Sequence, residues 1–288
     1  MPHSLILTTK PSGDYELLDS GDGEKLERYG AFIVARPDPQ ALWNKLHPGL
    51  WKKADAVFTR EERSGGWEFG KDMPHRWNIA LGDLSFSIRP TAFKHVGLFP
   101  EHVGNWDWIR EKVKSRKEPV NILNVFGYTG GATLAAAQAG AQVCHVDGSK
   151  TAVTWARDNA ALSKLQGAPV RWIVDDARTF VRREKKRGNR YDGIIMDPPA
   201  FGHGPKKELW KIEKDFVPFL ELCREVMTDD PLFFLINGYA SGYSAVAYDN
   251  NLQALFGKTG TRETGELTIE EKGSGRLLPC GIFARWSA

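Results

Sequence analysis

The sequence predicts an α/β protein with a mostly parallel sheet covered by helices on both faces, and a small β-rich or α+β domain at the N-terminal end. Residues 121–237 alternate between short apolar runs and helical patterns, which is typical of parallel strands joined by helical crossovers. A helix is predicted next, at Tyr243–Phe256, and then the alternation stops and two strand-like runs follow with no helix between them. This ending indicates an antiparallel hairpin at one edge of the sheet. We therefore expect a small domain over residues 1–85 and a larger one over residues 86–288.

The front segment, residues 1–85, differs from the rest of the chain in its sequence pattern. It has short mixed runs such as Tyr15–Leu18 and Ala31–Val34, with a turn signal at Ser20–Gly23. Short strands separated by turn residues favour a small β-rich or α+β cap. Its tryptophans are expected to pack this segment; they are Trp43, Trp51, Trp67 and Trp77.

The larger domain is predicted to begin with a buried strand and to alternate as far as residue 256. The predicted elements, in order, are strand Asn121–Phe126, an Ala-rich helix at Ala132–Ala139, strand Gln142–Asp147, helix Lys150–Leu165, strand Val170–Asp175, a basic helix at Ala177–Arg187, strand Tyr191–Asp197, a long helix at Glu208–Met227, strand Pro231–Asn237, a helix at Tyr243–Phe256, and strands Glu266–Lys272 and Gly281–Trp286. Strands that alternate with helices in this way form a sheet buried on both faces.

Composition excludes several functional classes. The 288 residues are 41% apolar and 26% charged, which suffices for one large core and a smaller one. No apolar stretch approaches the roughly 20 residues that span a bilayer, and residues 1–10 lack the pattern of a signal peptide, so we expect a cytoplasmic protein. The net charge of +3 permits a polyanionic partner without the strong positive field of a dedicated nucleic-acid-binding module.

The three cysteines, Cys144, Cys223 and Cys280, are far apart and form no C-x-x-C pair. Neither a disulfide framework nor a zinc site is indicated, and no metal is expected.

Functional residues are expected where the predicted strands end, because ligands of an open α/β sheet lie outside the carboxyl ends of its strands. A glycine-rich turn, Phe126–Gly131, follows the first strand, and its glycines allow a sharp turn and a close approach to a ligand. Asp147 ends the second strand, Asp175 and Asp176 end the third, and Asp197–Phe201 follows the fourth.

This order of motifs points to a nucleoside cofactor without a diphosphate. The turn Gly127–Gly131 lacks the G-x-G-x-x-G spacing that seats a pyrophosphate on a helix, which argues against NAD. Asp147 is placed to accept hydrogen bonds from both hydroxyls of a ribose. Asp176, with Ala177, is placed near the adenine, where a side-chain oxygen accepts from an amino group. A ribose site without a pyrophosphate site predicts S-adenosylmethionine.

Each motif also has a plainer interpretation. The glycine-rich turn is also compatible with a tight turn that binds nothing, and Asp147 and Asp176 are also compatible with helix caps. Asp197–Phe201 is harder to explain in this way, since two prolines fix the backbone directly after a buried strand. The joint occurrence of all four motifs in one order favours the cofactor interpretation.

At these residues the chain resembles the class I S-adenosylmethionine-dependent methyltransferases, and among them the large-subunit (23S) ribosomal RNA methyltransferases of the I and K/L type. The resemblance covers residues 86–286. The residues that carry it are Phe126, Gly127, Tyr128, Thr129, Gly130 and Gly131, then His145–Lys150, Asp175–Phe180 and Asp197–Phe201. It implies a Rossmann-like sheet of seven strands with a reversed final hairpin, S-adenosylmethionine as cofactor and ribosomal RNA as acceptor.

The resemblance extends more weakly to Lys94–Glu101, where Phe99 and Glu101 match an aromatic and an acidic residue that form a lip over the cofactor. The family commonly follows the acid with Gln-Arg, whereas this chain has His102-Val103. Lys206 and Lys207 follow the loop Gly202–Pro205 just after the fourth motif, where two ammonium groups can meet a substrate phosphate. Solvated charge at the start of a helix is the alternative.

Two chemistries remain open for the acceptor. If it is an exocyclic amino nitrogen, the Asp197 carboxylate and the Pro198 carbonyl accept its N–H groups, and Phe201 stacks on the ring of a single-stranded or flipped base. If it is cytosine C5, a thiolate must first attack the ring, and Cys280 is the candidate. We expect a nucleobase methyltransferase. The alternatives are an enzyme acting on a small molecule or a protein side-chain nitrogen, and a non-catalytic nucleoside-binding protein.

Overall fold

The computed structural model describes residues 3–59, 65–92, 94–239 and 242–288. The chain forms two compact units that are interleaved along the sequence. The large unit comprises Met1–Leu7, Gly104–Glu266 and Gly281–Ala288, and the small unit comprises Thr8–Val103 and Leu267–Cys280. Both ends of the chain therefore belong to the large unit, whereas the sequence suggested two consecutive domains. The division at residue 85 stays a prediction.

Seventeen strands, seven α-helices and a short 3-10 helix at Pro100–His102 are named in the described part of the chain. The strands are β1 (His3–Thr9), β2 (Tyr15–Gly21), β3 (Glu24–Tyr29), β4 (Phe32–Pro37), β5 (Ala56–Thr59), β6 (Gly66–Phe69), β7 (Trp77–Leu81), β8 (Leu84–Ile88), β9 (Asn121–Val125), β10 (Gln142–Asp147), β11 (Val170–Val174), β12 (Gly193–Met196), β13 (Phe201–His203), β14 (Leu209–Lys211), β15 (Phe233–Tyr239), β16 (Thr261–Glu270) and β17 (Leu277–Ser287). The helices are α1 (Pro48–Trp51), α2 (Val103–Ser115), α3 (Gly131–Gln138), α4 (Lys150–Leu162), α5 (Ala177–Arg187), α6 (Ile212–Glu225) and α7 (Ala245–Phe256).

An eight-stranded sheet organises the large unit, in the order β1-β16-β17-β15-β12-β9-β10-β11. Strands β15, β12, β9, β10 and β11 are parallel, and β17 runs antiparallel to β15. The order reverses between β9 and β12, since the chain moves from β9 outward to β11 and then returns to β12. A reversal of this kind opens a crevice at the carboxyl ends of the strands. The predicted fold class is confirmed.

The parallel strands are apolar because both faces of the sheet are covered. Ile122, Leu123 and Val125 of β9 are completely buried, and every residue of β12 is buried. A continuous apolar run, without alternation, is what a strand in the middle of a parallel sheet requires. The crossover helices begin at capping residues: Ser149 accepts from the Ala152 amide at the start of α4, and Ser244 caps α7 in the same way.

The small unit consists mainly of strands. Strands β2, β3, β4, β5 and β6 form a five-stranded sheet, and β7 and β8 form a separate hairpin. Its core holds the fully buried side chains of Tyr15, Leu17, Leu26 and Tyr29. Glu27 lies among them, and it accepts hydrogen bonds from the hydroxyls of Tyr15 and Tyr29 at 2.8 and 2.9 Å. The front of the chain is therefore β-rich, as predicted.

Two details differ from the sequence-based expectation. The large sheet has eight strands rather than the seven that the resemblance implied, because β1 adds to the edge at β16. The long helix does not begin at Glu208, as predicted: residues 209–211 form β14, which pairs with β13, and α6 begins at Ile212. The local reason is that Leu209 and Trp210 pair with a preceding strand across a Gly-Pro turn.

In the described part of the chain, no helix is long and apolar enough to span a membrane.

Candidate active site at the ends of the parallel strands

The predicted site residues of the large unit come together at the carboxyl ends of its parallel strands. We call the ends of β9, β10 and β11 the cofactor half of this edge, and the ends of β12 and β15 the acceptor half. Strands β9 and β10 are direct neighbours in the sheet; β12 pairs with β9 on its other side, and β15 pairs with β12. The motifs that lie far apart in the sequence therefore share one edge, as an open α/β sheet requires.

The glycine-rich turn has an unusual backbone. Phe126 and Tyr128 have φ values of 57° and 48°, in the left-handed region that non-glycine residues rarely adopt, and Gly130 has φ 92°. Glycine is required at positions 127 and 131 for a different reason, which is the lack of space for a side chain. A Cβ atom at Gly127 would lie 2.5 Å from Cε1 of His145, and one at Gly131 would lie 2.4 Å from the Trp106 ring. The turn is therefore shaped by strain in its aromatic residues and by close packing beneath its glycines.

A buried polar network forms the floor of this turn. Asn124 Nδ2 donates to Thr133 Oγ1 at 2.8 Å, so the threonine hydroxyl can donate to His145 Nδ1 at 2.9 Å. Burial lowers the pKa of His145 to about 3, so its ring is neutral at physiological pH. The ring also lies 5.0 Å from that of Trp172. The network holds His145 under Gly127; His145 begins one of the sequence motifs, whereas Asn124 and Thr133 lay outside them.

Asp147 is the central carboxylate of the cofactor half. Its Oδ2 accepts from the Tyr128 amide at 2.9 Å, and its Oδ1 accepts from the Ser149 amide at 2.8 Å. Asp147 thus joins the turn after β9 to the start of α4. Burial raises its pKa, and these two hydrogen bonds lower it less. Each carboxylate oxygen can accept two hydrogen bonds, so both retain capacity for a ribose hydroxyl. The residue fits the nucleoside role that the sequence predicted.

Asp176 is the N-cap of α5. Its Oδ1 accepts from the Thr179 amide at 2.9 Å, and its Oδ2 lies 3.3 Å from Arg178. Asp175 pairs with Arg183. Ala177 is buried at the first position of α5. The capping interpretation of Asp176 is therefore confirmed, and its contact with an adenine stays a prediction.

The segment Asp197–Phe201 forms the acceptor half. Asp197 is half-buried and Pro198 is buried, whereas the Phe201 side chain is 56% exposed. The Pro199 carbonyl accepts from Trp210 Nε1 at 2.6 Å. The partner of the Pro199 carbonyl is therefore a side chain of strand β14, which returns Trp210 to this segment.

A residue that sequence reasoning missed lies beside Asp197. Burial, and next the charge of Asp197, raise the pKa of Tyr248 to about 12. Tyr248 is 3% exposed, and a Cβ atom at Gly238 would lie 2.5 Å from its hydroxyl oxygen. Tyr248 therefore fills the gap that Gly238 leaves at the end of β15 and adds a hydroxyl to the acceptor half.

The hairpin of β13 and β14, residues 201–211, connects the two halves. Its turn lies against the cofactor half, since a Cβ atom at Gly204 would be 3.1 Å from Cβ of Asp176, and one at Gly148 would be 3.5 Å from Cα of Gly204. Lys206 and Lys207 are exposed at this turn. Arg178 fastens the hairpin: its Nη2 donates to the Leu209 carbonyl at 2.8 Å, and its Nη1 donates to Asp215 Oδ1 at 2.8 Å.

Three predicted residues belong to the small unit. Phe99 is half-buried, with its ring edge-on to His95 at 5.4 Å, and Glu101 is 7% exposed with its pKa raised by burial. Their roles toward the cofactor stay predictions.

Cys280 is 3% exposed, and burial raises the pKa of its thiol well above the usual value. A buried thiol with a raised pKa is poorly suited to nucleophilic attack at neutral pH. This counts against the thiolate hypothesis for Cys280, which stays a prediction.

Comparisons with known proteins agree with this geometry. The S-adenosylmethionine-dependent methyltransferase family matches residues 57–243, well over half of the chain. An S-adenosylmethionine-dependent methyltransferase structure from Agrobacterium tumefaciens has a TM-score of 0.94 at 41% identity, over 100% of this chain and 95% of that one. A methyltransferase structure complexed with S-adenosylhomocysteine has a TM-score of 0.72 at 17% identity, over 96% of this chain and 76% of that one.

A sequence relative from Alteromonas mediterranea, ribosomal RNA large subunit methyltransferase K/L, is 36% identical over 176 residues. The match covers 60% of this chain but only 24% of the length of that relative. The chain belongs to the S-adenosylmethionine-dependent methyltransferase family. Its cofactor is S-adenosylmethionine, as the sequence predicted.

Proposed function

We propose that the chain transfers a methyl group to an exocyclic amino nitrogen of a nucleobase in ribosomal RNA. The observation that carries this proposal is the geometry of Asp197–Phe201, which places a half-buried carboxylate and an exposed aromatic ring directly after β12. A carboxylate accepts the N–H of an amino group, and an exposed ring offers a stacking surface to a base. Both lie at the same strand edge as Asp147.

The residues of the acceptor half suit positioning rather than acid–base chemistry. S-adenosylmethionine, when bound, supplies a methyl group that is already activated as a sulfonium. Asp197 and the Pro198 carbonyl would then hold the two N–H groups of the acceptor, so that the nitrogen lone pair faces the methyl group. The Pro199 carbonyl already accepts from Trp210, which leaves the Pro198 carbonyl as the backbone partner in this assignment. Phe201 would stack on the base.

An amino nitrogen is favoured over cytosine C5 by the state of Cys280. Attack on the ring at C6 requires a thiolate, and the buried Cys280 thiol has a raised pKa. Cys223 is completely buried in α6, and burial also raises its pKa. A base paired within a duplex cannot present its amino group to Asp197 in this way, so the target base is proposed to be single-stranded or flipped.

Ribosomal RNA is proposed as the acceptor because of the sequence relatives. The relative from Alteromonas mediterranea is named as a large-subunit ribosomal RNA methyltransferase, although the chain spans only a quarter of its length. Lys206 and Lys207 are exposed at the hairpin turn, and we propose that they contact backbone phosphates of the RNA. We also propose that the protein acts in the cytoplasm, because ribosomal RNA is found there.

The test is transfer of a labelled methyl group to RNA from a strain that lacks the gene. The purified protein is incubated with this RNA and tritiated S-adenosylmethionine, and the nucleosides are then mapped by mass. A single N-methylated nucleoside, absent from the deletion strain and present in its parent, is expected. Label found only in protein or in small molecules would contradict the RNA assignment. A C5-methylated cytosine would contradict the amino-nitrogen assignment.

A further inference from the structure

A buried chain of polar side chains ends at the acceptor half. Arg285 is 5% exposed and donates from Nη1 to Asn105 Oδ1 at 3.0 Å, while its Nε donates to Glu263 at 2.8 Å. Asn105, which is 1% exposed, donates from Nδ2 to Asn237 Oδ1 at 2.8 Å. Asn237 is 4% exposed and lies on β15. All four residues belong to the large unit.

The direction of these hydrogen bonds is fixed by chemistry. A guanidinium has donors and no acceptor, so the side-chain oxygen of Asn105 must face Arg285. Its amide nitrogen then faces Asn237, which in turn must present its own oxygen to Asn105. One buried arginine therefore sets the orientation of two amides in series, and the Nδ2 group of Asn237 is left to point elsewhere. Among the described residues, none accepts a hydrogen bond from this Nδ2.

The sheet register places Asn237 beside Asp197. Met196 and Ile236 are register partners of the parallel strands β12 and β15, and Asp197 and Asn237 are the residues that follow them. Neighbouring strands lie about 4.8 Å apart, so these two residues are adjacent at the carboxyl edge. Tyr248 supports this placement, since it lies against Gly238 and is influenced by the charge of Asp197. A hydrogen-bond acceptor from Asp197 and a donor from Asn237 therefore stand side by side.

We propose that Asn237 is a specificity-determining residue, whose amide N–H groups donate to an unprotonated ring nitrogen adjoining the amino group held by Asp197. Asn105 and Arg285 are positioning residues that keep this donor pointed at the acceptor. The substrate class is an aminoheterocycle with a donor and an acceptor next to each other on one edge, as in the N4 and N3 atoms of cytosine. An edge of opposite polarity, such as O4 and N3–H of uracil, is rejected. This inference rests on the proposed function.

The test measures base preference by equilibrium dialysis of radiolabelled cytidine and uridine, with S-adenosylhomocysteine at saturation so that the cofactor pocket is closed to nucleosides. The wild-type protein is expected to bind cytidine at least tenfold more tightly than uridine. Asn237→Asp replaces the donor with an acceptor and is expected to abolish or reverse this ratio. Asn237→Ala removes the donor without adding charge and is expected to bring the ratio close to one.

Asn105→Asp tests the positioning role while Asn237 is left unchanged. The new carboxylate has no donor, so the Asn237 amide must turn its nitrogen toward it and its oxygen toward the acceptor. The cytidine preference is then expected to fall at least tenfold. A merely structural role for Asn105 would lower the melting temperature and leave the ratio intact. Asn251→Asp on α7 is the matched control, since among the described residues its side chain bonds only the Ala247 carbonyl of its own helix, and the wild-type ratio is expected.

Transfer to RNA from the deletion strain is measured on the same proteins, so that two failures can be told apart. If the wild-type protein prefers cytidine as expected but methylates no ribosomal RNA, the proposed acceptor is wrong and the role of Asn237 stands. If it methylates ribosomal RNA, while the Asn237 and Asn105 variants retain the wild-type base ratio, the role of Asn237 is overturned and the proposed function stands. A wild-type protein that binds both nucleosides equally also overturns the role of Asn237.

Discussion

The cofactor half and the acceptor half, at the carboxyl ends of the parallel strands, hold their polar groups in different ways. In the cofactor half, carboxylates accept from backbone amides of a turn or of a helix's first turn, as Asp147 does from Tyr128 and Asp176 does from Thr179. In the acceptor half, the partners are side chains from distant segments, as when Asn237 accepts from Asn105. The cofactor half is thus mainly a product of local sequence, whereas the acceptor half depends on tertiary structure. Cofactor binding and acceptor choice should therefore respond to different substitutions.

The largest effect is expected for Asp197→Ala. If Asp197 holds the acceptor, its loss should reduce kcat about 10²- to 10³-fold, because the reacting nitrogen is no longer oriented. Affinity for S-adenosylhomocysteine should change much less, and calorimetry measures it. Asp229→Ala, at an exposed position, serves as the control and should behave as the wild type. An Asp197→Ala protein with undiminished kcat would show that Asp197 does not hold the acceptor, and would contradict the separate role given to the acceptor half.

Asp147→Ala is expected to act on the other half. Loss of two hydrogen bonds to a ribose costs about 2–3 kcal/mol, which corresponds to a roughly 100-fold weaker affinity for S-adenosylhomocysteine. The affinity should also depend on pH. Burial raises the pKa of Asp147, so the ionised form that accepts from the ribose is lost as pH falls through this raised pKa, starting above the usual range of an aspartate. Calorimetry between pH 7 and pH 5 would detect this loss, and Asp147→Asn should abolish the pH dependence.

Gly127→Ala probes the packing beneath the turn. A Cβ atom 2.5 Å from the buried His145 ring must displace the ring or the backbone, and we expect a loss of about 1–3 kcal/mol in the free energy of unfolding. Chemical denaturation with and without S-adenosylhomocysteine measures it. Gly167→Ala is a matched control in the same unit, because nothing lies within 4 Å of its added Cβ. Equal stability of the two variants would show that the turn is loosely packed.

The double substitution Lys206→Ala and Lys207→Ala should have a modest effect that is confined to RNA. The KM for RNA is expected to rise several-fold, and the slope of its logarithm against the logarithm of salt concentration should weaken by about 1.5 units, since two phosphate contacts are lost. The kcat should stay within twofold of the wild type. Lys114→Ala with Lys117→Ala is the control, since these exposed residues precede β9 at the opposite end of the strands. A similar rise in KM for both pairs would indicate a diffuse charge effect.

The smallest effect is expected for Cys280→Ser. If the acceptor is an amino nitrogen, no thiolate is needed, and the transfer rate at saturating RNA should equal that of the wild type within twofold. Single-turnover kinetics with labelled cofactor gives this rate directly. A loss of a hundredfold or more, in a protein that retains its melting temperature, would restore cytosine C5 as the acceptor atom.

The same contrast explains how far the sequence predicted the structure. Asp147 could be found because it ends an apolar run, and its two partners lie in loops that the sequence marks with glycine and serine. Asn237 also ends an apolar run, but nothing local shows that Asn105 and Arg285 orient it. These partners are brought together only when β17 and α2 pack against β15.

The hairpin of β13 and β14 was missed for a related reason. Residues 208–211 have a mixed polar and apolar pattern that is compatible with the start of a helix, and we predicted a helix there. Their strand conformation comes from pairing with Phe201–His203 and from the contact of Trp210 with the Pro199 carbonyl. Strand β1 was likewise not predicted in the large sheet, because its partner β16 lies more than 250 residues away in the chain.

The left-handed backbone at Phe126 and Tyr128 has a consequence for engineering. Such a conformation costs a non-glycine residue roughly 1–2 kcal/mol, so a stability-guided design would replace both residues with glycine. The Phe126 ring, however, packs 5.0 Å from Trp210 of β14 and 5.9 Å from Phe219 of α6, so the turn after β9 contacts both of these elements. A variant stabilised in this way would lose the packing contact of the turn with Trp210 and Phe219. Substitutions that raise thermal stability should therefore be sought outside this turn.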